Sequence, residues 1–239
     1  MKESIVNWDA ELMRFTVFFT DSPIEHYKTW WSTFTGKQAD ESRSKPSHGE
    51  YIDTGEFRNG ILELRVTPQR ADWILRPNGM KVIDIPSIGD FKEEIIHFKS
   101  AFISWLQSLT LRLNRVAFGA VLLNDENDRE SGYKTLSHYL PEVPILQNNW
   151  REFNLQFNKP IVGKFDSIGE IEINRITNFS VVDMQVFTIQ QQQSFVQKFL
   201  TRIEFDINTP VNYGNHLEVK ETSDIFEVLT DIDDVLNKI

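Results

Sequence analysis

Short runs in which apolar and polar side chains alternate are the feature that most constrains this chain. Such runs occupy residues 61–66 (ILELRV), 150–157, 170–176 (EIEINRI) and 199–208. Strict alternation is typical of a strand with one buried and one exposed face, as in many antiparallel sheets. The Asn59-Gly60 pair before the first run favours a tight hairpin turn. The sequence therefore predicts a chain dominated by antiparallel sheet.

A few segments show helical spacing instead. The clearest, Ile88–Leu109, places apolar side chains three and four residues apart and follows Ser87, which can cap a helix. Shorter helices are predicted over Pro23–Phe34, with a proline in its first turn, and over Ser223–Lys238. Together with the alternating runs, these helices predict an α+β fold. Its mostly antiparallel sheets are expected to be covered by the helices on one face.

Polar stretches and further β-prone runs complete the assignment. Gly36–Glu50 has almost no apolar side chain and is predicted to be a loop, and Asn124–Ser131 is predicted to be a charged loop. More strands are expected over residues 14–20, 51–57, 71–76, 80–85, 111–123 and 179–190.

The 239 residues allow one large domain or two small ones. The best candidate boundary is Gly132–Asn149, where two prolines disfavour regular structure. We therefore expect an N-terminal α+β half, residues 1–131, and a strand-rich C-terminal half with a closing helix, residues 132–239. An Asn-Arg pair inside an alternating run occurs in each half, at 114–115 and 174–175, which predicts two related halves. Because no flexible linker separates them, we expect one compact unit.

Composition excludes several classes of protein. The chain has no cysteine, so it has no disulfide framework, thiolate zinc site or cysteine nucleophile. Its 25 basic and 35 acidic side chains give a formal net charge of −10, which argues against a nucleic-acid binder that works through a general basic field. The acidic N-terminus does not read as a secretory signal, and no apolar run is long enough to cross a membrane. We expect a cytoplasmic protein.

The motifs of common catalytic and cofactor sites are missing from the sequence. The five histidines are not at ligand spacing, and no HExxH, GxSxG, GxxxxGK[ST] or GxGxxG pattern occurs. We predict no metal site and no cofactor. The sequence leaves open whether the chain is an enzyme and favours a non-catalytic role.

Acidic strand residues support one enzyme-like alternative. Glu170 with Glu172, and Glu204 with Asp206, each put two carboxylates on one face of a strand. Converging carboxylates can hold a divalent cation for phosphodiester cleavage. The acid-x-Lys tripeptide of residues 218–220 follows Asp206 and has the form found in restriction-type nucleases. A metal-dependent nuclease or hydrolase is therefore an alternative.

Arginines on the predicted strands support another alternative. The planar guanidinium group binds two oxygens of a carboxylate or phosphate. If the sheet brings several of these arginines together, they form an anion or nucleotide sensor, or a local nucleic-acid patch, despite the net charge. The candidate binding residues are Arg70, Arg112, Arg115 and Arg175, with Asp206 from the acidic strands.

Several segments also resemble a known group of proteins. They are residues 111–116 (LRLNRV), 153–160 (FNLQFNKP), 171–181 (IEINRITNFSV) and 205–209 (FDINT), with Ile225-Phe226 in the closing helix. Together they are similar to a sporadically distributed family of uncharacterised bacterial proteins of about this length. The resemblance covers most of the chain and supplies no catalytic residues. The patchy occurrence of that family implies a mobile defence or toxin-linked operon.

The hypothesis we favour is a non-catalytic subunit of a bacterial multi-protein system, such as antiphage defence, that acts through a protein partner. It fits the acidic composition, the missing catalytic motifs and the aromatic richness, because Trp and Tyr are favoured at interfaces. The carboxylate nuclease and the arginine-based sensor remain the alternatives.

Overall fold

The computed structural model describes residues 7–79, 85–147, 151–165, 169–188, 194–210, 217 and 219–237. The strands are β1 Asp9–Phe19, β2 Glu41–Lys45, β3 Glu50–Phe57, β4 Gly60–Thr67, β5 Arg70–Pro77, β6 Gly89–Asp90, β7 Leu113–Glu126, β8 Asn154–Asn158, β9 Ile161–Phe165, β10 Gly169–Thr188 and β11 Ser194–Asn208. The α-helices are α1 Trp30–Thr35, α2 Phe91–Gln107, α3 Arg129–Tyr139, α4 Val219–Leu229 and α5 Ile232–Asn237. Short 3₁₀ turns cover Pro23–Glu25, Tyr27–Thr29, Pro46–His48 and Ile145–Gln147.

The described strands form one sheet. Nine of them follow the order β2-β3-β4-β5-β1-β7-β11-β10-β8, with every neighbouring pair antiparallel, and the short β6 pairs with β1 beside this path. The sheet is continuous across the predicted boundary, because β11 pairs with β7 from Phe199 to Asn208. β8 and β9 both pair with β10, and their registers agree on either side of Lys159-Pro160. The α+β class with a mostly antiparallel sheet is confirmed.

One face of the sheet, called here the core face, carries the largest aromatic cluster. The fully buried Phe15 of β1 lies 4.8 Å from Phe98 and 4.4 Å from Phe102 of α2, measured between ring centroids. Its ring also lies 5.2 Å from those of Phe118 in β7 and Phe226 in α4. Burial of such rings is the main source of stability. These contacts hold α2 and α4 against the central strands.

The C-terminal half uses the same face for α3 and α5. Gly132 of α3 lies so close to the sheet that a Cβ atom there would be 3.0 Å from Val181 Cγ1. Arg175 of β10 is 3% exposed and pairs with Asp234 of α5 at 2.7 Å. A buried arginine needs such a partner, so this contact fixes α5 against the sheet.

The order of elements recurs along the chain. β1, α1, the strands β2 to β6 and α2 are followed by β7, α3, the strands β8 to β11 and α4, with β1 and β7 paired at the centre. The two Asn-Arg pairs occupy different settings in this order. Arg115 shares a sheet face with its partner Phe18, whereas Arg175 lies on the core face. Duplication of the halves therefore stays a prediction, and the Asn-Arg match does not support it.

Several predicted elements differ in the structure. The expected loop Gly36–Glu50 contains β2, which is polar and fully exposed because it is an edge strand that pairs only with β3. The expected helix Pro23–Phe34 consists of two 3₁₀ turns and the short α1. Residues 170–176 and 179–190 were expected to be separate strands, but 169–188 form the single strand β10.

Helix ends differ as well. Helix α2 begins at Phe91, and the carboxylate of Asp90, rather than the hydroxyl of Ser87, accepts the capping hydrogen bond from Glu93 N. The predicted helix Ser223–Lys238 is divided into α4 and α5, with Thr230 Oγ1 donating to the carbonyl of Phe226 at the break. The predicted strand 80–85 lies almost wholly outside the described residues.

Candidate binding face of the sheet

The sheet face opposite the core face is defined here as the open face. Across the central strands it carries Leu12, Arg14, Thr16 and Phe18 of β1, Arg70, Asp72, Ile74 and Arg76 of β5, Arg115, Ala117, Gly119 and Val121 of β7, Arg202, Glu204, Asp206 and Asn208 of β11, and Asn174, Ile176 and Asn178 of β10. Side chains along a strand point alternately to the two faces, which places this set together. Arg76 and Arg70 expose 48% and 38% of their side chains, so solvent reaches this face.

An aromatic ring flanked by two arginines marks one end of the open face. Phe18 pairs in register with Arg70 of β5 and with Arg115 of β7. The Cζ atoms of these arginines lie 5.4 and 5.1 Å from the centroid of the Phe18 ring, within the range of cation–π contacts. Because the arginines come from the strands on either side of β1, they cover both sides of the ring.

The two flanking arginines differ in their partners. Arg70 Nη2 donates to Asp72 Oδ1 at 2.6 Å, and Thr16 Oγ1 donates to the same oxygen at 2.6 Å. Arg115 instead donates from Nη2 to Asn208 Oδ1 at 2.9 Å and from Nε to the carbonyl of Thr209 at 3.0 Å. Both acceptors of Arg115 are neutral, so its charge is oriented without being neutralised by a carboxylate.

A row of asparagines continues this network across the sheet. Asn208 Oδ1 also accepts from Asn174 Nδ2 at 3.3 Å, and Asn208 Nδ2 donates to Asp206 Oδ1 at 3.1 Å. Asn158 Nδ2 of β8 donates to Asn174 Oδ1 at 2.9 Å. Asn208, only 3% exposed, therefore links Arg115 to both Asp206 and the asparagine row. Such a chain of hydrogen bonds fixes the orientation of Arg115.

Arg14 is a second arginine for which the described residues supply no carboxylate partner. It pairs in register with Gly119, and a Cβ atom at Gly119 would lie 3.3 Å from Arg14 Nη2. Arg14 therefore lies flat against β7 because residue 119 has no side chain. Its buried Nε atom has no acceptor in the described part of the chain.

The arginines of the open face therefore differ in whether a carboxylate among the described residues pairs with them. Arg76 pairs with Glu63 at 3.0 Å, and Arg202 pairs with Glu204. Among the described residues, no carboxylate lies within 4.0 Å of Arg14 or Arg115. A guanidinium with unused donors on an accessible face can bind a carboxylate or phosphate group.

Of the residues predicted from the sequence, the structure brings together Arg70, Arg115 and Asp206 on the open face. Arg112 lies apart, just before β7, where its Nε and Nη2 donate to the two carboxylate oxygens of Asp21 at 3.1 Å. This exposed pair lowers the pKa of Asp21, mainly through the hydrogen bond from Arg112, and raises the pKa of Arg112. Arg175 is also apart, because it is buried on the core face.

The acidic candidates are dispersed or already paired. Glu204 pairs with Arg202, Glu170 pairs with Lys164 at 2.8 Å, and Asp206 accepts from Asn208. Glu218 and the side chain of Lys220 lie outside the described residues, so the acid-x-Lys arrangement has no structural description. Within the described ranges, no group of three histidine, aspartate or glutamate side chains could hold a metal ion.

Sequence reasoning missed Arg14, Phe18 and Asn208. The sequence predicts a strand over 14–20, in which residues 14, 16 and 18 share one face. The available signal was an arginine four residues before a phenylalanine on that face. Nothing in the sequence indicated that Gly119 would receive Arg14, because that contact depends on the pairing of β1 with β7.

Two comparisons with known proteins were negative. No protein-family model matches the chain, and no curated protein matches it. In the described part of the chain, no helix is both long and apolar enough to cross a membrane.

Proposed function

We propose that this protein is a non-catalytic binding subunit whose open face recognises an acidic, extended segment of a partner protein. The observation that carries the proposal is the pair Arg14 and Arg115, which lack carboxylate partners among the described residues and lie on one accessible sheet face. Each is held in place, Arg14 against Gly119 and Arg115 by Asn208 and Thr209. Arginines oriented before binding lose less entropy when a partner arrives.

The spacing of these arginines favours a protein segment over a single small anion. Arg14 pairs with Gly119, four residues along β7 from Arg115. At about 3.4 Å per residue, these positions are about 14 Å apart, which exceeds the span of one phosphate or carboxylate. An extended peptide with acidic side chains four residues apart matches this distance. The asparagine row beside Arg115 offers amide groups to the backbone of such a segment.

Nucleic acid fits the open face less well. Single-stranded nucleic acid binds to proteins by stacking bases on aromatic rings, and both sides of Phe18 are covered by arginines. The net charge of −10 adds general repulsion of a phosphate backbone. From the sequence resemblance, we propose that the protein is a cytoplasmic subunit of a bacterial multi-protein system, such as antiphage defence.

The test is capture of the partner from the native host followed by affinity measurement with variants. The partner that copurifies with the tagged protein is identified, produced and titrated into the wild type. We expect Arg115→Gln and Arg14→Gln each to weaken binding by about ten- to hundredfold, the loss typical of one charge-assisted hydrogen bond. Arg112→Gln is the matched control, because it removes the same charge from an arginine that is already paired with a carboxylate, that of Asp21.

Three outcomes would contradict the proposal. The first is equal affinity of Arg115→Gln and the wild type. The second is an equal loss in Arg112→Gln, which would indicate a dependence on total charge alone. The third is the absence of any stoichiometric partner when the tagged protein is purified gently from its host.

An anion or nucleotide sensor is the second candidate. The observation that favours it is the approach of two guanidinium groups to one ring, at 5.4 and 5.1 Å, since a polyphosphate could contact both. It predicts a higher melting temperature in the presence of a nucleoside triphosphate. An unchanged melting temperature across a nucleotide panel would eliminate this candidate.

A further inference from the structure

A cavity of about 550 Å³ lies beside α3, away from the arginines of the open face. Its walls come from α3, from the 3₁₀ turn at Ile145–Gln147 and from the segment before β8. The lining residues are Arg129, Glu130, Tyr133, Lys134, Ile145, Leu146 and Arg151. This volume is in the range of small-molecule sites.

The charge of this cavity is opposite to that of the protein. Three lining side chains are cationic and one is acidic, in a chain whose net charge is −10. Arg129 is partly neutralised by Asp183 at 3.3 Å. Neither Lys134 nor Arg151 has a carboxylate within 4.0 Å among the described residues. A ligand with a negative group would therefore find two cations with unused donors.

One of the lining residues, Tyr133, also carries a buried hydroxyl. Tyr133 is 7% exposed, and in the described part of the chain its hydroxyl has no hydrogen-bond partner. Leaving a buried polar group unpaired is costly, so such a group in a cavity wall is a candidate for bonding to a ligand. Tyr139 on the same helix differs, because its hydroxyl accepts from Trp8 Nε1 at 3.3 Å.

The remaining wall of the cavity is apolar. The α3 residues that line the cavity are held by contacts of their own. Ile145 is buried and Leu146 is 54% exposed, so the cavity has one covered and one open apolar side. The ring of Phe153 supports that of Tyr133 edge-on at 6.3 Å. At the start of α3, Asp128 and Ser131 form a reciprocal capping box, and Gly132 fits closely against Val181. These contacts hold the cavity residues of α3 in place.

We propose that this cavity is a second binding site, which takes a small organic anion with an apolar body. The carboxylate or phosphate would bind Lys134 and Arg151 and accept from the Tyr133 hydroxyl, and the apolar body would contact Ile145 and Leu146. The site is separate from the partner-binding function proposed above and does not depend on it. A carboxylate and a phosphate monoester share the chemistry required.

Isothermal titration calorimetry of the full chain tests the site with three probes of similar shape. They are phenylacetate, phenyl phosphate and the neutral phenylacetamide. We expect at least one anion to bind at least tenfold more tightly than phenylacetamide. The anion that binds more tightly identifies the preferred head group, carboxylate or phosphate. Equal affinity for the amide, or no binding by either anion at about 10 mM, would overturn the proposal.

Two variants locate the binding. Tyr133→Phe removes the unpaired hydroxyl and keeps the ring, so we expect about tenfold weaker binding with a melting temperature that is unchanged or higher. Lys134→Gln should also weaken binding by about tenfold. Tyr139→Phe and Lys164→Gln are the matched controls and should bind like the wild type. Wild-type affinity in Tyr133→Phe and Lys134→Gln would place the anion elsewhere and overturn the site.

Discussion

The two faces of the sheet are built from the same strands but differ in the side chains that they carry and in how these are partnered. On the core face, Phe15 is fully buried among rings from α2, α4 and β7. On the open face, the ring of Phe18 in the same strand lies within cation–π range of Arg70 and Arg115. The core face packs its rings against the helices, whereas the open face keeps oriented charges available. The first arrangement stabilises the fold, and the second is suited to binding.

The two Asn-Arg pairs show the same contrast at the level of one residue. Arg175 is buried and pairs with Asp234 of α5, whereas Arg115 is half-buried and bonds to neutral acceptors. The same dipeptide thus supplies a structural ion pair on one face and a candidate binding group on the other. We expect mutations to separate these roles.

The largest effect is expected from removing one ring on each face. Phe15→Ala should lower the free energy of unfolding by about 3–5 kcal/mol, because it leaves a cavity among four aromatic neighbours. Phe18→Ala should cost about 1 kcal/mol, the size of its cation–π contacts. Chemical denaturation measures both values. Equal losses would show that the two faces contribute alike to stability.

The arginine pair should give the next largest effect. Arg175→Met leaves the partly buried Asp234 without this ion-pair partner, and we expect a loss of about 2–4 kcal/mol in stability. Arg115→Met should change stability by no more than about 1 kcal/mol, because its acceptors are neutral. Partner affinity should show the reverse order, with a larger loss in Arg115→Met than in Arg175→Met. Denaturation and partner titration of both variants test this, and a stability loss for Arg115→Met as large as that for Arg175→Met would contradict it.

A smaller effect is expected from adding one methyl group to the open face. In Gly119→Ala the new Cβ would lie 3.3 Å from Arg14 Nη2 and 3.4 Å from the carbonyl oxygen of Phe205. Since optimal contacts are about 3.5–4.0 Å, Arg14 should move away from β7. We expect partner affinity to fall by about three- to tenfold while stability changes by less than about 1 kcal/mol. Unchanged affinity would show that the position of Arg14 is unimportant.

The smallest effect is expected at Arg112, which forms an exposed ion pair with Asp21 just before β7. The pKa of Asp21 is lowered in the folded protein, mainly by its hydrogen bond from Arg112. The pair therefore contributes stability above the ordinary aspartate pKa of about 3.9 and loses it as the pH falls through the lowered value. Arg112→Gln should be slightly less stable than the wild type at neutral pH. The two denaturation midpoints should converge in acid, and a difference that persists there would contradict the pairing.

The sequence allowed prediction of the strands and the helix whose apolar faces are buried. β4 and α2 were recognised because alternation and helical spacing record that burial. β2 was missed because an exposed edge strand has no apolar face and is held by backbone pairing with β3. The split between α4 and α5 was missed because the apolar stripe continues across the break.

The candidate site was predicted only in part. Arg70 and Arg115 come together because each is paired in register with Phe18, and that register cannot be obtained from one strand at a time. Arg112 and Arg175 have the same local composition but lie in other environments. Strand pairing, rather than residue type, therefore decides which arginines share a face.

Carbene footprinting of the complex between this protein and its captured partner tests the central claim most directly. This measurement reports which surface side chains lose solvent contact on binding. We predict protection at Phe18, Ile74 and Ile176 on the open face, with labelling unchanged at the exposed Ile96 and Val162. Protection at Ile96 or Val162, with the open face labelled as in the free protein, would contradict the account.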